Sequence, residues 1–138
     1  MPNRNVKSEM WNDPQVFDNF TRTDIDTWLY LITSPNTLLC GIVQGSLKMM
    51  AMQCKMDKEE FMEGINRLEN VHKMIKFNES ESEILIINWH KHNWTTSDRL
   101  KTSVIKSLSS VKTKEFVDYV IKTLELYPSK EKENSDKN

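Results

Sequence analysis

His90-Lys91-His92 is the densest cluster of ligating side chains in the chain, and it ends the apolar run Ile84-Leu85-Ile86-Ile87-Asn88-Trp89. Read as the end of a strand, alternation places both imidazoles on one face, where two nitrogens can ligate zinc. No cysteine or carboxylate lies nearby in sequence to complete a tetrahedral set, so hairpin-edge packing or phosphate contact is the expectation, with no metal or other cofactor. Cys40 and Cys54 stand alone and lack metal-ligand spacing, which fits buried thiols. With three glycines the chain has no phosphate-cradling loop, and it carries no HExxH, Gly-x-Ser-x-Gly or Cys-x-x-Cys. The expectation is therefore a non-enzymatic protein.

What remains is charge. The formal net charge of −1 gives no polyanion footprint by itself. Its distribution says more. Residues 57–69 hold Asp57, Glu59, Glu60, Glu63 and Glu69 against Lys58 and Arg67, a balance of −3. Residues 91–114 hold Lys91, Arg99, Lys101, Lys106, Lys112 and Lys114 against Asp98, a balance of +5. Attraction for phosphates belongs to the second stretch. Lys91, His92, Trp94, Arg99, Lys101 and Lys106 are the candidate DNA-binding residues, with Trp94 stacking on an unpaired base and Lys73, Lys76, Arg4 and Lys7 as auxiliaries. The plainer alternative is a solvated helix face with a core tryptophan.

The elements that must position these residues follow from periodicity. Residues 5–22 carry Val6, Met10, Trp11, Val16, Phe17 and Phe20, too apolar for a free tail, and predict a docked arm broken near Asp13-Pro14. Thr23 is the expected cap of a helix whose Ile25, Trp28, Leu29 and Ile32 face one core and which stops at Ser34-Pro35-Asn36. Leu38 to Val43 predicts a short strand or extended connector. Gly45-Ser46 opens a second helix with Leu47, Met50, Ala51 and Cys54 on one face. Asp57 caps a third, with Glu60 where a capping box wants it and Phe61, Ile65 and Leu68 as the buried stripe. Gly64 in mid-helix points to close packing. Met74–Phe77 and Ile84–Ile87 flank a polar loop, Asn78 to Ser82, and predict a hairpin. Ser97 caps a further helix with Leu100, Val104 and Leu108 inward. Thr113 caps a last one, bearing Phe116, Val117, Val120, Ile121 and Leu124 and closed by Pro128.

Three helices followed by a hairpin predict an α+β winged helix-turn-helix. The expected organisation is a winged-helix domain with its N-terminal arm at 1–94, a helical extension at 95–128 and a disordered tail at 129–138. The third helix is the one that enters the major groove in helix-turn-helix readers, yet its exposed start, Lys58-Glu59-Glu60, sets carboxylates against phosphates. Base reading by that helix is not expected. The aromatic excess points instead to self-association, through Trp11, Phe17 and Phe20 of the arm and the stripe Phe116, Val120 and Leu124, which has little domain left to cover. No apolar run approaches the ~18 residues of a membrane span. Met1-Pro2-Asn3-Arg4-Asn5 has no apolar run behind it, so no secretory signal and no membrane partner are expected.

Pro2-Asn3-Arg4, the run Trp28 to Pro35, Cys40-Gly41-Ile42, Leu47-Lys48, Asp57-Lys58-Glu59-Glu60 and Ile84 to His92 together resemble the N-terminal part of phage and prophage replisome organisers. These are DnaD-type replication initiation proteins of low-GC Gram-positive bacteria. Val111 to Tyr119 is similar to the stretch that follows the winged helix there, and the resemblance covers about residues 1–127. It implies binding of duplex or single-stranded DNA, self-association, contact with helicase-loading or other replication proteins, and the cytoplasm of a bacterial host cell. Family members commonly continue into a second helical domain that contacts DNA and helicase-loading partners. An interaction module that binds no DNA and uses the acidic helix on a basic partner, or a winged-helix transcription regulator, are the alternatives.

Overall fold

In a computed structural model of the chain the described residues are Val6, 8–94 and 98–126, without the side chains of His92 and Asp98. Arg4, Lys7, the Ser97 cap, the Pro128 stop and the 129–138 tail lie outside them. The arm is a 3-10 turn, Ser8–Asn12, then α1, Pro14–Asn19. The expected break at Asp13-Pro14 is there. Asp13 caps α1 by accepting from the Gln15 amide at 2.9 Å, and Pro14 opens the helix where no amide is needed. Only Val16 of α1 is buried, and Trp11 and Phe17 are 55% and 78% exposed.

Helix α2 spans Arg22–Thr33. Its cap is Thr21 rather than Thr23. The Thr21 hydroxyl accepts from the Asp24 amide, and the Asp24 carboxylate accepts from the Thr21 amide, a reciprocal box that only the Thr21-x-x-Asp24 spacing supplies. The buried face is correspondingly rotated: Asp24, Thr27, Leu31 and Ile32 point inward, while Ile25, Trp28 and Leu29 are half-buried. Helices α3, Leu47–Gln53, and α4, Lys58–Asn70, carry the caps Ser46 and Asp57 and bury the expected faces. Gly64 is where α4 meets α2. A Cβ there would lie 2.3 Å from Thr27 Oγ1, so a hydrogen is the only side chain that this crossing accepts.

The sheet is antiparallel and three-stranded, in the order β1-β3-β2: β1 is Ile42–Gln44, β2 is Ile75–Asn78 and β3 is Glu83–Ile86. Ile42 pairs with Leu85, and Ile75 with Ile86. The predicted hairpin is therefore present, turned by residues 79–82 with Ser82 in the left-handed region. All four residues of β3 are buried, as a central strand covered on both faces must be. Gly41, at φ 86°, turns the chain into β1 against the Trp89 ring, where any side chain would clash.

After the sheet come α5, His90–Asn93; α6, Asp98–Ser107; a 3-10 turn, Leu108–Ser110; and α7, Lys114–Glu125. Two expectations are corrected here. His90-Lys91-His92 is a helical turn and not a strand end, so residues two apart no longer share a face. Phe116, Val120 and Leu124 are buried in the same core as Ile42, Ile84 and Leu85, together with Val104 and Leu108. The stripe covers its own domain, and burying each such side chain contributes about 1.5–3 kcal/mol. Among the described residues no helix is long and apolar enough to cross a membrane.

Candidate nucleic-acid interface

The basic stretch is carried by α5, α6 and the turn into α7. Helix α6 is amphipathic: Val104 is fully buried and Leu100 half-buried, which leaves Arg99, Thr102, Ser103 and Lys106 exposed on the opposite side. Arg99 and Lys106 stand seven residues apart on that outer face, about 10 Å along the axis. Lys101 is turned away from them. It is half-buried and lines a groove of about 460 Å³ between α6 and α7, with Ile105, Val117, Ile121 and Glu125. Lys91 is exposed on α5, and Lys112 and Lys114 are exposed at the start of α7. His92 lies in α5, its side chain outside the described residues.

Trp94 is not available for stacking on a base. It is 9% exposed, and its indole N–H donates to the Leu39 carbonyl at 2.9 Å. Trp89 donates to the same oxygen at the same distance, so the two rings pin the connector before β1 to the start of the extension. Both indoles have apolar bodies and one polar atom each, and the fold satisfies both atoms with a single acceptor.

Two buried carboxylates hold the frame. Asp24 accepts from Arg67 Nε at 3.0 and 3.1 Å and from the Thr21 amide at 3.0 Å, and its Oδ2 lies 2.8 Å from His72 Nε2. Burial alone would raise its pKa. The hydrogen bonds from Arg67, Thr21 and His72 outweigh that and hold it below the ordinary carboxylate value. Asp24 thereby ties α2 to α4 and to the residues that follow it. Phe20 of the arm lies over the His72 ring at 4.2 Å, and the Gln15 side chain donates to the His72 carbonyl.

Glu83 performs the second clamp. Its Oε1 accepts from the Thr113 amide at 2.7 Å and the Thr113 hydroxyl at 2.6 Å, while Oε2 accepts from the Lys112 amide at 3.0 Å and Gln44 Nε2 at 2.8 Å. Burial again opposes ionisation, and the bonds from Thr113, Gln44 and Lys112 again prevail, holding the pKa down. A carboxylate from the central strand thus occupies the N-terminal end of α7, where the helix dipole favours negative charge. None of Asp24, Arg67, His72, Glu83 or Thr113 was assigned these bonds from sequence. The visible signal was Thr21-x-x-Asp24, a capping-box spacing.

Opposite in sign, the outward face of α4 carries exposed Glu59, Glu60 and Glu63, with Asn66 beyond. Hydrogen bonding and repulsion from Asp57 raise the Glu60 carboxyl. The hairpin loop is also acidic, with Glu79 and Glu81 exposed. Cys40 is buried and its thiol pKa is raised. Half-buried Cys54 is pushed up to about 11 by burial, so neither is an activated nucleophile. No cluster of three metal-ligating side chains occurs among the described residues. Comparison with protein-family models, with curated proteins and with solved structures finds no match.

Proposed function

We propose that the chain is a non-enzymatic DNA-associating protein of the replisome-organiser kind, built on a winged helix and acting in phage or prophage replication initiation. The order α2-β1-α3-α4-β2-β3, the sheet order β1-β3-β2 and the loop at 79–82 in the position of a wing support the winged-helix reading. The observation that carries the DNA reading is the separation of charge: Arg99 and Lys106 stand exposed on α6, while the exposed face of α4 is acidic. In this reading DNA lies along α6 and α5, through Lys91, Arg99 and Lys106, and α4 reads no bases.

Few cations make a weak site. Self-association supplies the rest, because copies held together present several such patches to one duplex and bind by avidity. The exposed arm residues Trp11 and Phe17 are consistent with association; the buried stripe of α7 no longer argues for it. Helicase-loading proteins are the expected partners within this reading. The competing reading, an interaction module without DNA binding, is favoured by one feature, the acidic α4 face.

A fluorescence anisotropy titration with duplex and single-stranded DNA separates the two. Phosphate contact makes affinity fall steeply between about 50 and 200 mM salt, with little preference among sequences. A flat salt response, or no binding at the lower salt, rejects the DNA reading. Tight preference for one palindrome would instead indicate a transcription regulator.

A further inference from the structure

We propose that α3 and α4 form a reciprocal docking surface for a second copy of this chain, α3 of each protomer lying on α4 of the other about a two-fold axis. The inference rests on the self-association half of the proposed function and names where the copies meet.

Helix α3 shows the solvent an unusual face. Met49 and Met52 are 43% and 65% exposed, and with Lys48 and Lys55 they surround one shallow depression, together with Ser46 and Gln53. Lys48 and Met52 are one turn apart on the helix, and Lys55 follows its C-terminal end in the left-handed conformation. Two adaptable thioethers flanked by two ammonium groups fit an amphipathic partner with carboxylates on its rim. A bare phosphate polymer would leave the methionines without apolar contact.

The same chain presents such a partner on the next helix. Glu59, Glu63 and Asn66 of α4 recur at i, i+4 and i+7, all exposed, with Met62 half-buried beside them. Among the described residues, the ion pairs within 4 Å are Arg22–Asp26, Arg67–Asp24 and His72–Asp24, so Lys48, Lys55, Glu59 and Glu63 form no such pair inside the protomer, although Glu63 lies in the field of Arg67 one turn on. One molecule therefore carries a basic, methionine-bearing face and an acidic face on consecutive helices. A two-fold axis pairs each with its complement in the other copy simultaneously, which is the self-complementarity that an isologous interface requires. Any other acidic protein would satisfy only the α3 half.

The arrangement makes a charge-exchange experiment decisive. K48E/K55E makes both faces of a protomer acidic, and E59K/E63K makes both basic. All four positions are exposed, and circular dichroism confirms that each variant folds. Sedimentation equilibrium at several concentrations is expected to show wild-type dimers, each variant alone weakened by about tenfold or more, and recovery when the two variants are mixed. In the mixture both contacts are again between opposite charges. Wild-type dimers with variants that associate equally well, or variants that both weaken but do not recover on mixing, would overturn this interface and leave self-association standing. A wild-type chain that stays monomeric at every concentration would overturn both.

Discussion

Glu83 of β3 holds the amide and the hydroxyl of Thr113 with a single carboxylate oxygen, at 2.7 and 2.6 Å. Thirty residues separate them in the chain, and the bond joins the central strand to the first turn of the last helix. Thr113 is the N-cap residue of α7 by position, but its own hydroxyl does not cap. It donates to Glu83, whose carboxylate also accepts from the Lys112 and Thr113 amides that lead into the helix. Asn78 of the hairpin donates in turn to the Thr113 hydroxyl at 3.0 Å, so the sheet and α7 share one polar joint. The orientation of α7, and through it of α6 and its exposed cations, depends on that joint.

Removing the carboxylate is therefore expected to be costly. Glu83→Leu leaves the buried Thr113 amide and hydroxyl and the Lys112 amide without this acceptor, and takes from the Gln44 side chain one of its two acceptors. Losing hydrogen bonds to a buried charged group should cost about 3 kcal/mol or more, and Glu83→Gln, which keeps one acceptor oxygen, should cost less. Urea denaturation checks the ranking. Equal stability of all three chains would show that the joint contributes nothing.

Acid should loosen both clamps together. Asp24 and Glu83 have folded-state pKa values below their ordinary 3.8 and 4.5. Around and just below those ordinary values the unfolded chain binds more protons than the folded one, so stability rises with pH there. The contribution is complete above the ordinary carboxylate range and is lost as pH falls through the folded values. Denaturation midpoints measured from pH 7 down to about pH 3 should be level at first and then decline. Asp24→Asn or Glu83→Gln should flatten part of that decline, and an unchanged profile in both would refute the assignment.

Gly64 offers a test in which two effects oppose each other. Alanine is a better helix former by about 1 kcal/mol. At this position its methyl would sit 2.3 Å from Thr27 Oγ1, and overpacking costs about 1–3 kcal/mol. Gly64→Ala is expected to destabilise on balance. Adding Thr27→Ala removes the nearest atom and should recover part of the loss, so the two substitutions should be non-additive in a thermal-melt cycle. Simple additivity would mean that the α2–α4 crossing is looser than the structure shows.

These elements also mark what periodicity can reveal. The α4 stripe Phe61, Ile65 and Leu68 was legible because a helix that buries one apolar face must repeat its residues at helical spacing. The hairpin was legible for another reason: two short apolar runs, Met74–Phe77 and Ile84–Ile87, flank a polar loop. The α2 face was misread because its centre is polar: Asp24 and Thr27 are inward, and what makes that tolerable is Arg67, His72 and Gly64, some forty residues away. The α7 stripe was assigned to a partner because nothing local announces that α7 returns to the sheet; the Glu83 joint does that, from across the fold. Within the candidate interface the exposed positions of Arg99 and Lys106 agree with the reading from charge. Trp94 does not, since an indole with a distant carbonyl to satisfy gives no local sign of being buried.

The final prediction separates the two charged faces by salt dependence. Removing one phosphate-binding cation should reduce the slope of log affinity against log salt by about 1, so Arg99→Ala with Lys106→Ala should lower it by about 2 for duplex DNA. Binding should weaken uniformly across sequences, because phosphate contacts position a duplex without reading it. Lys101→Ala should change the slope little, since Lys101 lines the α6–α7 groove instead of the outer face. Glu59→Gln with Glu63→Gln removes two carboxylates from α4, the groove-facing helix of ordinary winged-helix readers. If α4 stands away from the duplex, that change leaves sequence preference untouched, and affinity changes only through the balance of reduced repulsion against weaker pairing of copies, which sedimentation of the same variant reads separately. Should the α4 pair instead change sequence preference while the α6 pair leaves the slope intact, DNA would be seated on α4, and the assignment of phosphate contact to α6 would have to be abandoned.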